Sequence, residues 1–371
     1  MKKILFYTDT TQIGGAEHQI FLLAKFLDKQ RFTPVLACSC AESLDKWCRK
    51  FTAEKIQVIR LKAKHKHSPF HYFELKKIVK AENIDLIHAH VWNPASCRYV
   101  FLLKGIPIIT TEHDPFKLSR IKNIFKKYSL KKIKKIITVS NNNKQVLEGL
   151  FPDHKNKISV IHNGIDVDWW QSQLLRLAEE DYSNIKKNLF YANKNTLIIS
   201  TIAELHERKG IKYLIEAMKR VSEVFPNVKL VVIGEGDERR NLEDLIEKLA
   251  LQKHVVLMGR QQEVPKLLKS SDIFCLPSKR EAFGLVNAEA MITRLPVVAS
   301  AVGGIPEIVQ DGVTGILVPP ENSGKLAEAL VEVIGDPKKR FEMGVKGFEL
   351  VLKKFNAKLM AKEYEKMYET I

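Results

Sequence analysis

The sequence has 371 residues, 45% apolar and 28% charged, which is the balance of a globular protein and excludes a disordered or fibrous chain; the length allows two domains with a core each. The formal net charge of +17 is uneven: residues 1–190 hold 33 basic against 18 acidic residues and residues 191–371 hold 27 against 25, so the halves face different partners or one of them faces an anionic surface. Five cysteines without a C-x-x-C pair exclude a disulfide framework or zinc site and predict a reducing compartment, and no apolar run reaches the ~20 residues of a membrane span.

In chain order, Met1-Lys2-Lys3 followed by Ile4-Leu5-Phe6-Tyr7 has too short an apolar run for a signal peptide and reads as a first buried strand. Short apolar runs predict further strands at 33–37, 57–60, 86–88, 106–110, 136–139 and 159–161. Between the first two lies a helix over 17–27, with Ile20, Leu23, Ala24 and Leu27 on one face. Residues 166–194 are polar and poorly periodic and read as a linker, with Trp169-Trp170 as an interface plug. The rhythm then restarts, with strands at 197–202, 229–233, 255–258, 273–276, 297–299 and 316–318 and helices at 213–225, 239–249, 264–270 and 285–293. A last amphipathic helix at 355–371 is expected to cross back to the first domain. Strands alternating with helices throughout predict two doubly wound α/β domains, 1–165 and 195–354, facing across a cleft, with ligand sites at the carboxyl ends of the strands.

Four features stand at such ends. Gly14-Gly15 follows the first strand and opens a helix, a turn that lets backbone N–H groups approach a phosphate, although taken alone it reads first as a tight turn needing only flexible glycine. Arg208-Lys209-Gly210, beyond another strand, suits a diphosphate or is a surface cluster. Gly234-Glu235-Gly236-Asp237 adds flexibility at the same edge. The densest stretch runs from Ser278 to Ala290 and holds Glu281 and Glu289 about a helix entrance. In one helix they would stand ~12 Å apart along the axis, beyond the ~5–9.5 Å of a glycosidase pair, so they read as two separate acceptors for sugar or ribose hydroxyls. His88 reads as a satisfied core histidine, and His113, ending a strand, is open between core and site.

Taken together, Arg208-Lys209-Gly210, Gly234-Glu235-Gly236, the E-A-F-G-L-V-N-A-E run from Glu281 to Glu289, Gly303-Gly304-Ile305-Pro306-Glu307 and the D-G-V-T-G-I-L-V-P run resemble glycosyltransferase family 4. Gly14-Gly15-Ala16-Glu17, D-L-I-H-A-H at 85–90, Thr111-Glu112-His113-Asp114 and the run from Val160 to Asp166 follow in the same order. The resemblance, over about residues 1–335, implies the GT-B fold and a retaining enzyme that uses a nucleotide sugar, UDP-linked for preference, with no metal and no other cofactor. It implies that Glu289 accepts the donor's ribose hydroxyls and Glu281 sits by the transferred sugar. Phe283, Gly284, Leu285 and Val286 would then present main-chain N–H groups, Gly15 would approach the diphosphate, Lys209 would stabilise the leaving group and His113 would lie near the transferred sugar. Glu204 stands where the family usually carries arginine, and Arg208 is the candidate substitute.

Residues 117–135 hold nine basic and no acidic residues, with Leu118, Ile121, Ile124, Phe125, Tyr128 and Leu130 at near-helical spacing. This predicts an interfacial helix on anionic lipid, displaying Lys117, Arg120, Lys122, Lys126, Lys127, Lys131 and Lys132, as against a core-packed helix with a solvated basic face. The expected acceptor is a saccharide or lipid-linked glycan of envelope polysaccharide, lipopolysaccharide or glycolipid synthesis. The expected place is the cytoplasm, peripheral on the inner face of the membrane. Two other readings remain: a catalytically degenerate scaffold at the membrane, and a basic nucleic-acid binder, which no recognition motif supports. A nicotinamide dehydrogenase lacks its G-x-G-x-x-G fingerprint.

Overall fold

The computed structural model describes residues 1–62, 70–90, 103–114, 120–177 and 179–371, apart from the side chains at 120–123, 125 and 179–181. Two compact units result: Met1–Gly164 with Asn356–Ile371, and Ile165–Phe355.

Among its described residues the N-terminal unit carries seven parallel strands: β1 (Lys2–Tyr7), β2 (Phe32–Ser39), β3 (Gln57–Leu61), β4 (Leu86–Ala89), β5 (Ile108–Glu112), β6 (Lys135–Thr138) and β7 (Ile158–Val160). Their order is β3-β2-β1-β4-β5-β6-β7, so the winding reverses between β1 and β4. Strands covered on both faces must be apolar without alternation, and Ile4, Leu5 and Phe6 are all fully buried. The helix Gly15–Phe26 buries the expected face, Ile20, Leu23 and Ala24. The last helix, Ala357–Glu369, belongs to the same core: Met360, Tyr364 and Tyr368 share a cluster with Ile20 and Phe32. Polar ties fix its register. The Lys2 ammonium donates to the Tyr368 carbonyl at 2.7 Å and the Asp28 N–H to the Glu365 carboxylate at 2.7 Å.

The C-terminal unit carries six parallel strands: β8 (Leu197–Ile202), β9 (Val228–Ile233), β10 (Val255–Gly259), β11 (Ile273–Leu276), β12 (Val297–Ser300) and β13 (Gly315–Val318). Their order, β10-β9-β8-β11-β12-β13, reverses between β8 and β11. Each of the thirteen strands lies within two residues of its expected place.

The expected linker at 166–194 is corrected. It folds into helices Val167–Leu175 and Glu179–Asn188 within the C-terminal unit, which pack on the helix Val264–Lys269. The reason is apolar anchorage: Val167, Trp170, Ile185 and Phe190 are buried, and only Trp169 of the tryptophan pair is exposed. The C-terminal unit therefore begins at Ile165, about thirty residues earlier than expected, and closes at Phe355.

Candidate active site

In an open parallel sheet, the loops leaving adjacent strands diverge where the winding reverses, and that divergence opens a ligand crevice. In the C-terminal unit the loops concerned follow β8 and β11. Lys209 lies on the first and Glu281 on the second, and their side chains meet with Nζ to Oε2 at 2.5 Å. Both are largely but not wholly buried, at 14% and 12% exposed. Ser278 Oγ lies 3.4 Å from the same carboxylate oxygen. The main chain locks the loops together: the Lys279 N–H donates to the Arg208 carbonyl at 2.9 Å. Two glycines permit this closeness. Gly210 has φ +64° and a Cβ there would lie 2.2 Å from the Pro277 carbonyl oxygen; Gly303 has φ +55° and a Cβ would lie 1.7 Å from the Glu281 carbonyl oxygen.

Behind Glu281, the helix Leu285–Ile292 starts at Gly284 with no side-chain cap; the Asn287 N–H donates to the Gly284 carbonyl at 2.9 Å, which leaves the N–H groups of Leu285 and Val286 for an oxyanion. Phe283 turns its ring inward against Phe355, at 5.9 Å between centroids, which leaves only its main chain for the site. Glu289, on the same helix, has no hydrogen-bond partner among the described residues, and burial pushes its carboxyl up to about 7. A half-buried carboxylate lacking donors is suited to accept hydroxyl hydrogens. Arg208 stands apart from this group. Its guanidinium lies 3.5 Å from Glu204, an exposed pair one helical turn apart in sequence, so the candidate substitute is held by the residue it is to replace.

In the N-terminal unit, Gly14 caps the helix after β1 and its N–H donates to the Glu17 carboxylate at 2.8 Å. A Cβ on Gly15 would touch nothing, so packing does not demand this glycine. His113 follows β5, and burial brings its imidazole down to about 4, making it a neutral donor and acceptor. His88 proves to be a core histidine, bonded to the Tyr368 hydroxyl at 2.7 Å and to Thr111 Oγ1 at 2.8 Å. His90, stacked on His113 at 5.8 Å, is buried with neither ring nitrogen bonded.

Residues 13–169 match Glycosyltransferase Family 4, and residues 183–349 match Glycosyl transferases group 1. An uncharacterised glycosyltransferase of Methanocaldococcus jannaschii is 32% identical over 305 residues, spanning 80% of this chain and 78% of that one. The chain belongs to glycosyltransferase family 4. An Escherichia coli relative, UDP-Gal:alpha-D-GlcNAc-diphosphoundecaprenol alpha-1,3-galactosyltransferase, is 27% identical over 71% of this chain and 69% of its own length. Among solved structures, Anabaena HepE in complex with UDP aligns with a TM-score of 0.86 at 20% identity, covering all of both chains, a likeness in fold alone. Like it, this glycosyltransferase has the GT-B fold of two Rossmann-like units.

The basic helix of this glycosyltransferase, Arg120–Lys132, requires a correction. Lys126 is not on its surface: its side chain is 3% exposed, its ammonium is 2.5 Å from the Glu112 carboxylate, and it lies over the Phe151 ring at 5.2 Å. The buried face runs through Lys126, Leu130 and Ile133, at helical spacing, so Leu130 parts from Ile124 and Tyr128, with which the apolar spacing had grouped it. Those two are 69% and 59% exposed, beside exposed Lys127, Lys131 and Lys132. Lys127 pairs with Asp153 at 2.6 Å, and the Lys132 ammonium lies 5.6 Å from the Tyr128 ring. Lys117 lies outside the described residues, as do the side chains of Arg120 and Lys122. Sequence reasoning also missed the Lys209–Glu281 pair, which joins positions 72 residues apart and has no local signal.

Proposed function

We propose that this glycosyltransferase takes a UDP-sugar at the β8/β11 edge of its C-terminal unit. It transfers the sugar, with retention and without a metal, to a saccharide or lipid-linked acceptor of envelope polysaccharide, lipopolysaccharide or glycolipid synthesis. The observation that carries the reading is the Lys209 ammonium beside Glu281 in front of an uncapped helix turn. A diphosphate leaving there meets a cation and free N–H groups, which stabilise the charge that develops as the anomeric bond breaks. Lys209 turning to the phosphate frees Glu281 for the sugar hydroxyls, and Glu289 accepts from the ribose. The acceptor oxygen bonds to the anomeric carbon on the face that the diphosphate leaves, and the acceptor proton passes to the departing phosphate oxygen. The HepE–UDP complex and the UDP-Gal substrate of the E. coli relative support the choice of base, and that relative's diphosphoundecaprenol acceptor supports a lipid-linked one. The exposed Ile124, Tyr128 and neighbouring lysines support a peripheral place on anionic lipid at the cytoplasmic face of the membrane.

Calorimetric titration with UDP, GDP and ADP in the presence of a chelator tests this reading. Saturable binding of UDP alone is expected. The Glu204–Arg208 pair favours a second reading, a degenerate scaffold. No binding by the native chain, with binding gained in Glu204→Arg, would select the scaffold.

A further inference from the structure

The N-terminal unit holds a second reactive cluster that the transfer reaction does not use. Cys38, fully buried near the end of β2, and Cys48, 7% exposed on the helix Asp45–Ala53, bring their sulfur atoms to 3.6 Å. Arg60 pairs directly with Cys38 in the β2–β3 register and donates through Nη1 to the Cys48 sulfur at 3.5 Å. The guanidinium is itself fixed by Asp45 at 2.8 Å and by the carbonyls of Ser39 and Ala41 at 2.8 and 2.7 Å. A cation held against one thiol of a touching pair favours its thiolate, the nucleophilic form. The hydrogen bond between the two sulfurs, with Arg60 behind it, holds the Cys48 thiol below the ordinary range, while that bond and burial push Cys38 up. The two differ in role accordingly: Cys48 attacks first and Cys38 resolves.

We propose that Cys38 and Cys48 are a peroxide-sensitive dithiol that closes reversibly to a disulfide. The Cys48 thiolate attacks one oxygen of hydrogen peroxide, the O–O bond breaks, and a sulfenic acid forms as hydroxide leaves and takes up a proton to become water. The Cys38 sulfur then attacks the Cys48 sulfur, the S–O bond breaks, and the hydroxyl departs with the Cys38 proton as a second water. Two thiols lose two electrons and the peroxide gains two.

Closure reaches the glycine loop that follows β1 in the same unit. A disulfide needs its sulfur atoms about 2.05 Å apart against 3.6 Å here, and we assign part of that approach to the helix Asp45–Ala53. Trp47, adjacent to Cys48, donates its indole N–H to the Glu17 carbonyl at 2.9 Å, and Ser43 Oγ donates to the Thr11 carbonyl at 2.6 Å. One end of the loop bearing Gly14 and Gly15 is thus tied to that helix and the other to the turn Glu42–Leu44 that leads into it. Only the meaning of this loop rests on the proposed function; the dithiol does not.

The test treats the full chain with hydrogen peroxide, alkylates remaining thiols under denaturing conditions, and maps the peptides by mass spectrometry. The expected product is a Cys38–Cys48 cross-linked peptide, lighter by two hydrogens and lost on reduction, while Cys40 and Cys275 are recovered alkylated. Cys48→Ser, close in volume, abolishes the link and leaves Cys38 alkylated. Recovery of Cys38 intact beside Cys48 oxidised to sulfinic acid, or of both thiols unmodified at a dose that oxidises Cys40, overturns the proposal. In the oxidised form the amides of residues 11–17 exchange hydrogen more slowly; unchanged exchange there overturns the coupling to the glycine loop. UDP titration of the reduced chain is a separate measurement, so failure of the donor assignment cannot be confused with failure of the dithiol.

Discussion

The two units are built on one plan, a parallel sheet whose winding reverses beside its first strand, and each places a lysine–glutamate pair near the strand ends. The pairs differ in how water reaches them. Glu112 and Lys126 are 2% and 3% exposed, joining a strand end to a helix that covers it. Lys209 and Glu281 are 14% and 12% exposed and join two loops at the point of reversal. A sealed pair can only hold structure together, whereas one that opens to solvent can exchange its partner for a ligand. Net charge divides in the same way: the N-terminal unit holds 33 basic against 16 acidic residues, and the C-terminal unit holds 27 of each. The same fold forms with and without a cationic surplus, so the surplus belongs to what the N-terminal unit meets.

The largest effect separates the units. Ending the chain at Phe355 removes Met360, Tyr364 and Tyr368 from the N-terminal core and leaves His88 with a lost partner. The N-terminal unit is expected to lose cooperative unfolding, while the C-terminal unit keeps its own transition by calorimetry. Two intact transitions in that truncation would show the last helix to be dispensable. Next, Lys126→Ala leaves the Glu112 charge buried without its partner and costs about 3–5 kcal/mol in denaturant unfolding. Lys127→Ala, on the exposed pair, changes stability by less than about 1 kcal/mol.

These two lysines also show where the sequence stops being legible. All the strands among the described residues could be read, because a parallel strand covered on both faces is a continuous apolar run with no competing pattern. The role of Lys126 could not be read from composition, since charge count places a lysine outside. Its spacing four residues before Leu130 did carry the signal. The 166–194 segment misled for the opposite reason: its few apolar anchors, Val167, Trp170, Ile185 and Phe190, are too widely spaced among polar residues to show a period. At the site, the loop–helix context marked Glu281 and Glu289, but only the fold could bring Lys209 to one of them. The pairing of Arg208 with Glu204 was equally invisible beyond their spacing.

Lys209→Ala sharpens the comparison of the two pairs. It should lower turnover of UDP-sugar about 10²–10³-fold, the range seen when one charge-stabilising donor is removed, with thermal stability little changed. Equal loss of stability and turnover would make this pair structural, like its counterpart. A smaller effect concerns Glu289. Its raised pKa means the folded chain holds a proton that the unfolded chain releases, so this group's contribution to stability is present below pH 4.5 and falls away as pH rises toward about 7. Glu289→Gln should therefore raise the melting temperature at pH 8 and leave it unchanged at pH 4. Ribose hydroxyls need the ionised form, so UDP affinity should fall up to about tenfold per pH unit below 7 and lose that dependence in the Gln variant. Affinity independent of pH in the native chain would remove Glu289 from the donor site.

A last set of variants tests what the cationic surplus is for. Lys127, Lys131 and Lys132 share the exposed face with Ile124 and Tyr128, and each lysine near an anionic surface contributes about 1 kcal/mol. Replacing these three by Gln, and leaving Lys126 in place so that the fold is untouched, should weaken binding to phosphatidylserine vesicles by about two orders of magnitude in low salt. Binding should also fall as ionic strength shortens the screening length from about 30 Å at 0.01 M to about 8 Å at 0.15 M. Ile124→Ser with Tyr128→Ser separates the two attractions on this face: it should weaken binding at every salt concentration, because burial of apolar area is not screened. If the lysine variant keeps full affinity for anionic vesicles, the surplus acts elsewhere on the N-terminal unit. If both variants bind neutral and anionic vesicles equally, the helix is a solvated cover for the sheet, held there by Lys126.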